Sequence, residues 1–421
     1  MTNSSIWHPF TQHGLGEPIP QVARAKGAAL YTADGRRIVD AISSWWVTTH
    51  GHCHPRIMAA IAEQSAQLDQ IIFAGWTHEP AETVARGLRD LMPDELTRIF
   101  FSDSGSTSVE VALKMALGYW ANTGRPRHKI LVLEHAYHGD TVGAMSVGAR
   151  GVFNAAYAPL LFDVETLPFP HGDGATTLEK LTALCREHPA ALIVEPLICG
   201  AGGMKIYDAA ILAEMRQICA RYDVLFIADE VMTGWGRTGT LLACEQAGIV
   251  PDILCLSKGL TGGAMPLAVT MATEPIYAAH LSEDRARMFF HSSSYTANPL
   301  ACAAAAANIA IWRDEPVIER IGKLAERQAK HLEKLARNPR ATNARRAGTI
   351  AAVEIEDAKG GYLSDLGPAL LSRFREADLL LRPLGNTIYV MPPYCISDED
   401  LASIYTGIED AVESLRPQPE M

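Results

Sequence analysis

Asp229 and Lys258 are the residues of this chain whose types and setting are richest in chemistry. Asp229 closes the apolar run Val224-Leu225-Phe226-Ile227-Ala228, and Lys258 follows Ile253-Leu254-Cys255-Leu256-Ser257. Each run is partly β-branched and of strand length, so each is expected to be a buried strand with an ionisable group at its carboxyl tip. In open α/β sheets, ligands bind just outside those tips. A carboxylate beside an amine there suits pyridoxal phosphate. The amine bonds its aldehyde, and the anion keeps its ring nitrogen protonated, so the ring can accept electrons. Two solvated strand-end charges would look the same, so other residues must decide.

The elements that would position this pair can be read from periodicity. Residues 98–101, 129–133 and 191–194 are further strand candidates, while 104–120 and 209–220 carry apolar residues at helical spacing. Strands alternating with helices imply an α/β fold, with a mostly parallel sheet covered on both faces. Residues 319–337, rich in Lys, Arg and Glu, are expected to form an exposed bridging helix. Short strands at 348–355 and 387–391 follow it. Near the N-terminus, 29–31 and 38–40 flank Asp34-Gly35 as a hairpin. The expected division is 1–50 as the N-terminal part of a small α+β domain, 51–315 as a large cofactor-binding domain, and 316–421 as the C-terminal part of the small domain.

A phosphate needs its own seat. Asp103-Ser104-Gly105-Ser106-Thr107 lies between a strand and a helix start, where small residues and the helix dipole favour an anion. Ser and Asp would equally serve there as a helix cap. No GxxxxGK[ST] loop occurs, and Gly200-Ala201-Gly202-Gly203 only faintly suggests a dinucleotide loop, which counts against a nucleotide-binding oxidoreductase. The segment His50-Gly51-His52-Cys53-His54 offers zinc-type ligands, but alternate residues of a short loop seldom converge on one ion, and no metal is expected.

Composition narrows the class. A net charge of −11 argues against nucleic acid as partner. No apolar run is long enough to span a membrane, and the start, Met1 to Pro9, lacks the basic and apolar regions of a signal peptide. The eight cysteines are scattered singly, as reduced thiols would be, so a cytoplasmic location is expected.

Further motifs carry a resemblance: Trp7-His8-Pro9-Phe10-Thr11, Ser43-Ser44-Trp45-Trp46, Tyr137-His138-Gly139-Asp140-Thr141, Thr233-Gly234-Trp235-Gly236-Arg237-Thr238-Gly239, Ser257-Lys258-Gly259, Asn298-Pro299-Leu300 and Met391-Pro392-Pro393-Tyr394. With Asp229 and Lys258, they closely resemble the class III, fold type I pyridoxal-phosphate aminotransferases over nearly the whole chain. The Trp pair, Arg382 and the Met-Pro-Pro-Tyr segment point to the biotin-synthesis branch, whose members aminate 8-amino-7-oxononanoate.

The resemblance implies roles. Lys258 would bond pyridoxal 5′-phosphate and shuttle a proton, Asp229 would pair with its ring nitrogen, and Tyr137 would stack on the ring. Gly105 and Ser106 would bind the phosphate. Ser293 and Ser294 would reach the phosphate held by a second copy, making a homodimer with its active site at the subunit interface. Phe10, Trp45, Trp46, Ser292 and Arg382 would line the site for a small-molecule amino donor and keto acceptor, Arg382 taking the acceptor's carboxylate. Departures bear on the substrates. Phe10 lacks the hydroxyl of the Tyr that helps some members bind adenosylmethionine, which leaves the donor open between adenosylmethionine and lysine. Ser292 stands where Gly is expected, and its added side chain would narrow the channel. An ω-amino-acid or amine:pyruvate transaminase is the alternative within the family.

Overall fold

A strand whose two faces are both covered can satisfy its backbone only by pairing on both edges, and the apolar runs of this chain do so. The computed structural model describes residues 4–357 and 360–415. Its main sheet has seven strands, in spatial order Arg98–Ser102, Ala268–Ala272, Ile253–Leu256, Leu225–Asp229, Ala191–Val194, Ile130–Leu133 and Glu165–Leu167. Leu225–Asp229 pairs in parallel with Ile253–Leu256 on one side and with Ala191–Val194 on the other. Alternate residues serve opposite faces: Leu131 and Leu133 join one buried cluster, Ile130 and Val132 another. The fold is α/β with a mostly parallel sheet, as the alternation of elements implies.

Two strands of this sheet lie outside the sequence-based expectation. Ala268–Ala272 runs antiparallel between Ile253–Leu256 and Arg98–Ser102. The 257–267 connection holds no crossover helix, only a turn of 3-10 helix at Lys258–Thr261, so the chain returns the way it came. Glu165–Leu167 is an edge strand too short to carry a periodic signal. The helix Val317–Leu335 corrects the expected exposed helix of 319–337. It buries Val317, Ile321, Leu324, Leu332 and Leu335 along one face. Its charges fill only the other face, and the apolar stripe at three- and four-residue spacing decides its packing.

The N-terminal hairpin forms as expected, with Ala29 opposite Val39, and Val22–Lys26 extends it. Leu379–Leu380, from far along the chain, pairs in parallel with Val39 and Asp40. A separate three-stranded sheet joins Ala341–Ala347, Ile350–Ile355 and Thr387–Val390.

Candidate active site

Register brings the chemistry together. Because Asp229 lies opposite Cys255 in parallel strands, the carboxylate and Lys258 reach the same edge of the sheet. Neighbouring strand ends add Glu195 after Ala191–Val194, Tyr137 and His138 after Ile130–Leu133, and Gly105 and Ser106 after Arg98–Ser102. All of these line one cavity of about 410 Å³. The helix Gly105–Asn122 opens at this edge, its N-cap closed reciprocally by Ser104 Oγ accepting from Thr107 N (3.2 Å) and Thr107 Oγ1 accepting from Ser104 N (2.9 Å). The Asp-Ser-Gly-Ser segment is thus a helix cap, and Gly105 and Ser106 also face the cavity.

The charges are held in distinct ways. Asp229 Oδ2 lies 2.7 Å from His138 Nδ1, and Oδ1 accepts the Val231 N–H at 3.1 Å. His138 Nε2 is buried and has no hydrogen-bond partner among the described residues. Glu195 accepts the N–H groups of Tyr137 and Gly200, each at 3.0 Å, and burial pushes its carboxyl up to about 7. Burial also holds the Lys258 amine down to about 8, against the opposing pull of Asp229 and Glu195. Its Nζ lies 4.9 Å from the centre of the Trp46 ring. Tyr137 has its phenol pushed upward, first by burial and then by Asp140.

Aromatic rings wall the rest. The Trp pair splits: Trp46 is 5% exposed and donates from Nε1 to Tyr389 Oη at 2.9 Å, while Trp45 is 45% exposed at the mouth. Phe10 meets Trp45 and Phe153 edge-on, with centroids 5.5 Å and 6.1 Å apart, and Phe153 meets Tyr362 at 4.4 Å. Arg382 lines the same cavity and donates to the Phe10 carbonyl at 2.8 Å. Among the described residues, no carboxylate forms an ion pair with it.

Lys258, Asp229, Tyr137, Gly105, Ser106, Phe10, Trp45, Trp46 and Arg382 therefore share one cavity. Ser292, Ser293 and Ser294 do not line it within a single chain. Ser292 Oγ donates to the Ser293 carbonyl, the Ser294 carbonyl accepts from Gln70, and Ser293 Oγ is buried with no partner among the described residues. The histidine-rich loop holds other groups: His50 Nε2 lies 3.0 Å from Asn308 Oδ1, and His52 Nε2 lies 2.8 Å from Asp40 Oδ2.

Residues given no role in the sequence reading include His138, Glu195, Met232, Phe153, Tyr362 and Tyr389. Glu195 was within reach, since it follows a strand candidate just as Asp229 does. The rings of Tyr362 and Tyr389 had no local signal; long-range pairing brings them in.

Residues 11–412 match the class III aminotransferases. The chain belongs to that family. It is 47% identical over 97% of its length, and over 99% of the relative's, to an adenosylmethionine-8-amino-7-oxononanoate aminotransferase of Synechococcus elongatus. The crystal structure of the enzyme of that name from Methanocaldococcus jannaschii superposes with a TM-score of 0.93 at 33% identity, covering 97% of each chain. A pyridoxal-phosphate-bound amine transaminase from an uncultivated Pseudomonas species gives 0.90 at 31% identity, covering 98% of this chain and 99% of its own. This class III aminotransferase uses pyridoxal 5′-phosphate.

The cavity fits that cofactor. Lys258 offers an amine whose pKa is already lowered, Asp229 a carboxylate braced by two donors, and the Gly105–Asn122 helix an N-terminus for the phosphate. Two glycines make the close approach possible there. A Cβ on Gly105 would lie 2.6 Å from Val231 Cγ1, and one on Gly139, at φ +132°, would collide with Ser106 Oγ.

Proposed function

We propose that this aminotransferase passes an amino group to the ketone of 8-amino-7-oxononanoate, giving 7,8-diaminononanoate for biotin synthesis, with S-adenosylmethionine as donor. The 47% identity to a relative of that name supports the reaction, and one observation in the cavity carries the acceptor assignment. Arg382 stands in an aromatic-walled space with no acid paired to it among the described residues. An arginine so placed suits a long apolar acyl chain ending in a carboxylate, which a planar guanidinium binds in bidentate fashion.

When bound, pyridoxal phosphate supplies the aldehyde that carries nitrogen between donor and acceptor, and the ring that takes up electrons from the substrate carbon. Lys258 would hold it at rest and afterwards move a proton with Nζ, for which a pKa near 8 is suited. Asp229, oriented by His138 and the Val231 N–H, would keep a negative charge against the ring nitrogen. Tyr137 would cover the ring face, and Gly105 and Ser106 would hold the phosphate. Trp45, Trp46 and Phe10 would exclude water along the acyl chain.

The reading includes a cytoplasmic homodimer in which Ser293 and Ser294 reach the phosphate held by the partner and Ser292 lines the substrate site. The buried Ser293 Oγ, without a partner among the described residues, supports it. It also keeps the division at 1–50, 51–315 and 316–421, supported by the strand pairing of Leu379–Leu380 with Arg37–Asp40.

Purified protein offered adenosylmethionine, lysine or alanine in turn tests the donor. Turnover of 8-amino-7-oxononanoate with adenosylmethionine is expected, and turnover of simple amines with pyruvate alone would replace the assignment. Arg382→Ala should raise the KM for the oxononanoate at least about tenfold, as loss of a charged hydrogen bond implies. The donor half-reaction should change far less.

A further inference from the structure

We propose that the histidine-rich loop is a positioning device for the active site: His50, through Asn308, fixes the Lys258 segment, and His52, through Asp40, fixes the Trp45–Trp46 turn. The proposal rests on the reading of Lys258 as the residue that bonds the cofactor.

Hydrogen-bond logic sets the first arm. Asn308 is fully buried, and its side-chain amide donates to the carbonyls of Gly259 (2.9 Å) and Leu260 (3.0 Å). With both amide hydrogens used, Oδ1 can only accept, so the His50 Nε2 at 3.0 Å carries a hydrogen. Burial holds the imidazolium of His50 down to about 4, so the ring is neutral and that hydrogen fixes its tautomer. The chain His50–Asn308 thus ends on the two residues that follow Lys258. Lys258 itself sits at φ +45°, a region that non-glycine residues seldom occupy and that persists only when neighbours over-determine it.

The second arm repeats the pattern at the Trp45–Trp46 turn, whose Trp46 ring lies 4.9 Å from Lys258 Nζ. Asp40 is fully buried; Oδ1 accepts the Ile42 N–H at 3.1 Å, and Oδ2 accepts the Ser44 N–H at 2.7 Å and faces His52 Nε2 at 2.8 Å. These bonds span a turn in which Ser43, Ser44 and Trp46 lie at φ +55°, +60° and +64°. Strain is concentrated where the Trp rings are aimed. Between the two histidines, Gly51 at φ +103° lets them point to different groups, and a Cβ there would lie 2.6 Å from Cys395 Sγ. One loop therefore ties down both the Lys258 segment and the Trp45–Trp46 turn.

Full-length holoenzyme carrying His50→Leu, His50→Gln or Asp40→Asn tests this, with Cys53→Ser, an exposed change in the same loop, as control. His50→Leu should lower kcat roughly 10- to 100-fold, the scale of a small misplacement of a reacting group. Its acceptor KM should stay within about twofold, since the Trp wall is held by the other arm. The pH at which the bound cofactor's absorbance changes should shift, and amides of 257–262 should exchange hydrogen faster. His50→Gln, which keeps an N–H donor, should recover most of the loss. Asp40→Asn should instead raise the acceptor KM about tenfold and leave the absorbance profile in place, the mark of lost binding rather than lost chemistry. If His50→Leu does not fold, Asn308→Asp, which removes both donors at near-constant shape, must give the same kcat and absorbance shift. Variants that change only the melting temperature, or that lower kcat and raise KM alike in both arms, would overturn the proposal. Lys258→Ala protein that still forms a borohydride-trapped bond to its cofactor would sink the reading of Lys258; loss of that bond with an unaltered His50→Leu would sink the positioning device alone.

Discussion

Lys258 concentrates the chemistry in one side chain, and its setting makes two demands. The amine must be unprotonated to bond an aldehyde, and burial already holds it down to about 8. Uptake of pyridoxal phosphate by cofactor-stripped protein should therefore quicken about tenfold per pH unit below 8 and level off above, because only the free base attacks. A rate that keeps climbing to pH 10 would show an ordinary lysine. Lys258→Ala should lose turnover and the borohydride-stable label together. Asp229→Asn keeps the shape and removes the charge, and should lower the rate by ~10³-fold, about 4 kcal/mol of barrier. An unchanged rate in stopped-flow half-reactions would reduce Asp229 to a strand-end charge. Both residues were legible in sequence because strand ends mark where ligands bind. His138 was not: nothing in Tyr137-His138-Gly139 says which way an imidazole turns, and only the 2.7 Å contact with Asp229 reveals it.

Elements place these groups, and Glu195 shows how. Both its oxygens accept backbone N–H groups, one from the Tyr137 loop and one from Gly200. Glu195→Gln would turn an amide against one of those N–H groups, leaving it unpaired in the interior. The change should cost about 1–3 kcal/mol in urea unfolding, with the Tyr137 loop loosened. Equal stability of the variant would mean that those bonds are made to solvent once the loop opens. Periodicity located most of the strands and helices around the site, since buried runs and amphipathic stripes leave local traces. It missed Ala268–Ala272, whose direction depends on the absence of a crossover helix before it. It also misjudged Val317–Leu335, where charge content masked a regular apolar face.

At the scale of the whole molecule, the proposed homodimer has an exposed apolar surface to draw on. Ile72, Trp76, Phe290 and Tyr295 are all more than half exposed, and they flank the Ser292 to Ser294 segment in sequence or across the Gln70 contact with Ser294. Burying such side chains is worth roughly 1.5–3 kcal/mol each, which favours the proposed homodimer. Sedimentation should find dimers at assay concentrations, and dilution to monomer should release cofactor. Ser294→Ala should weaken cofactor retention by about 1–3 kcal/mol. Monomers that hold cofactor as tightly as concentrated protein would contradict this. The sequence could offer Ser293 and Ser294 only through family likeness, because contacts between copies leave no periodicity within one chain. Among the described residues, no helix is long and apolar enough to cross a membrane.

The strand pairing of Leu379–Leu380 with Val39–Asp40 bears on how the protein is made. The cavity draws walls from Phe10 through Tyr389, so a ribosome-bound chain carries Lys258 long before the pocket around it can close. A message that stops before Arg382 yields a chain with the lysine and the aspartate but without the Arg382 and Tyr389 walls of the cavity. Turnover of the acceptor is thus expected to report more than cofactor loading: it requires that translation ran nearly to the last helix and that the two ends of the polypeptide met.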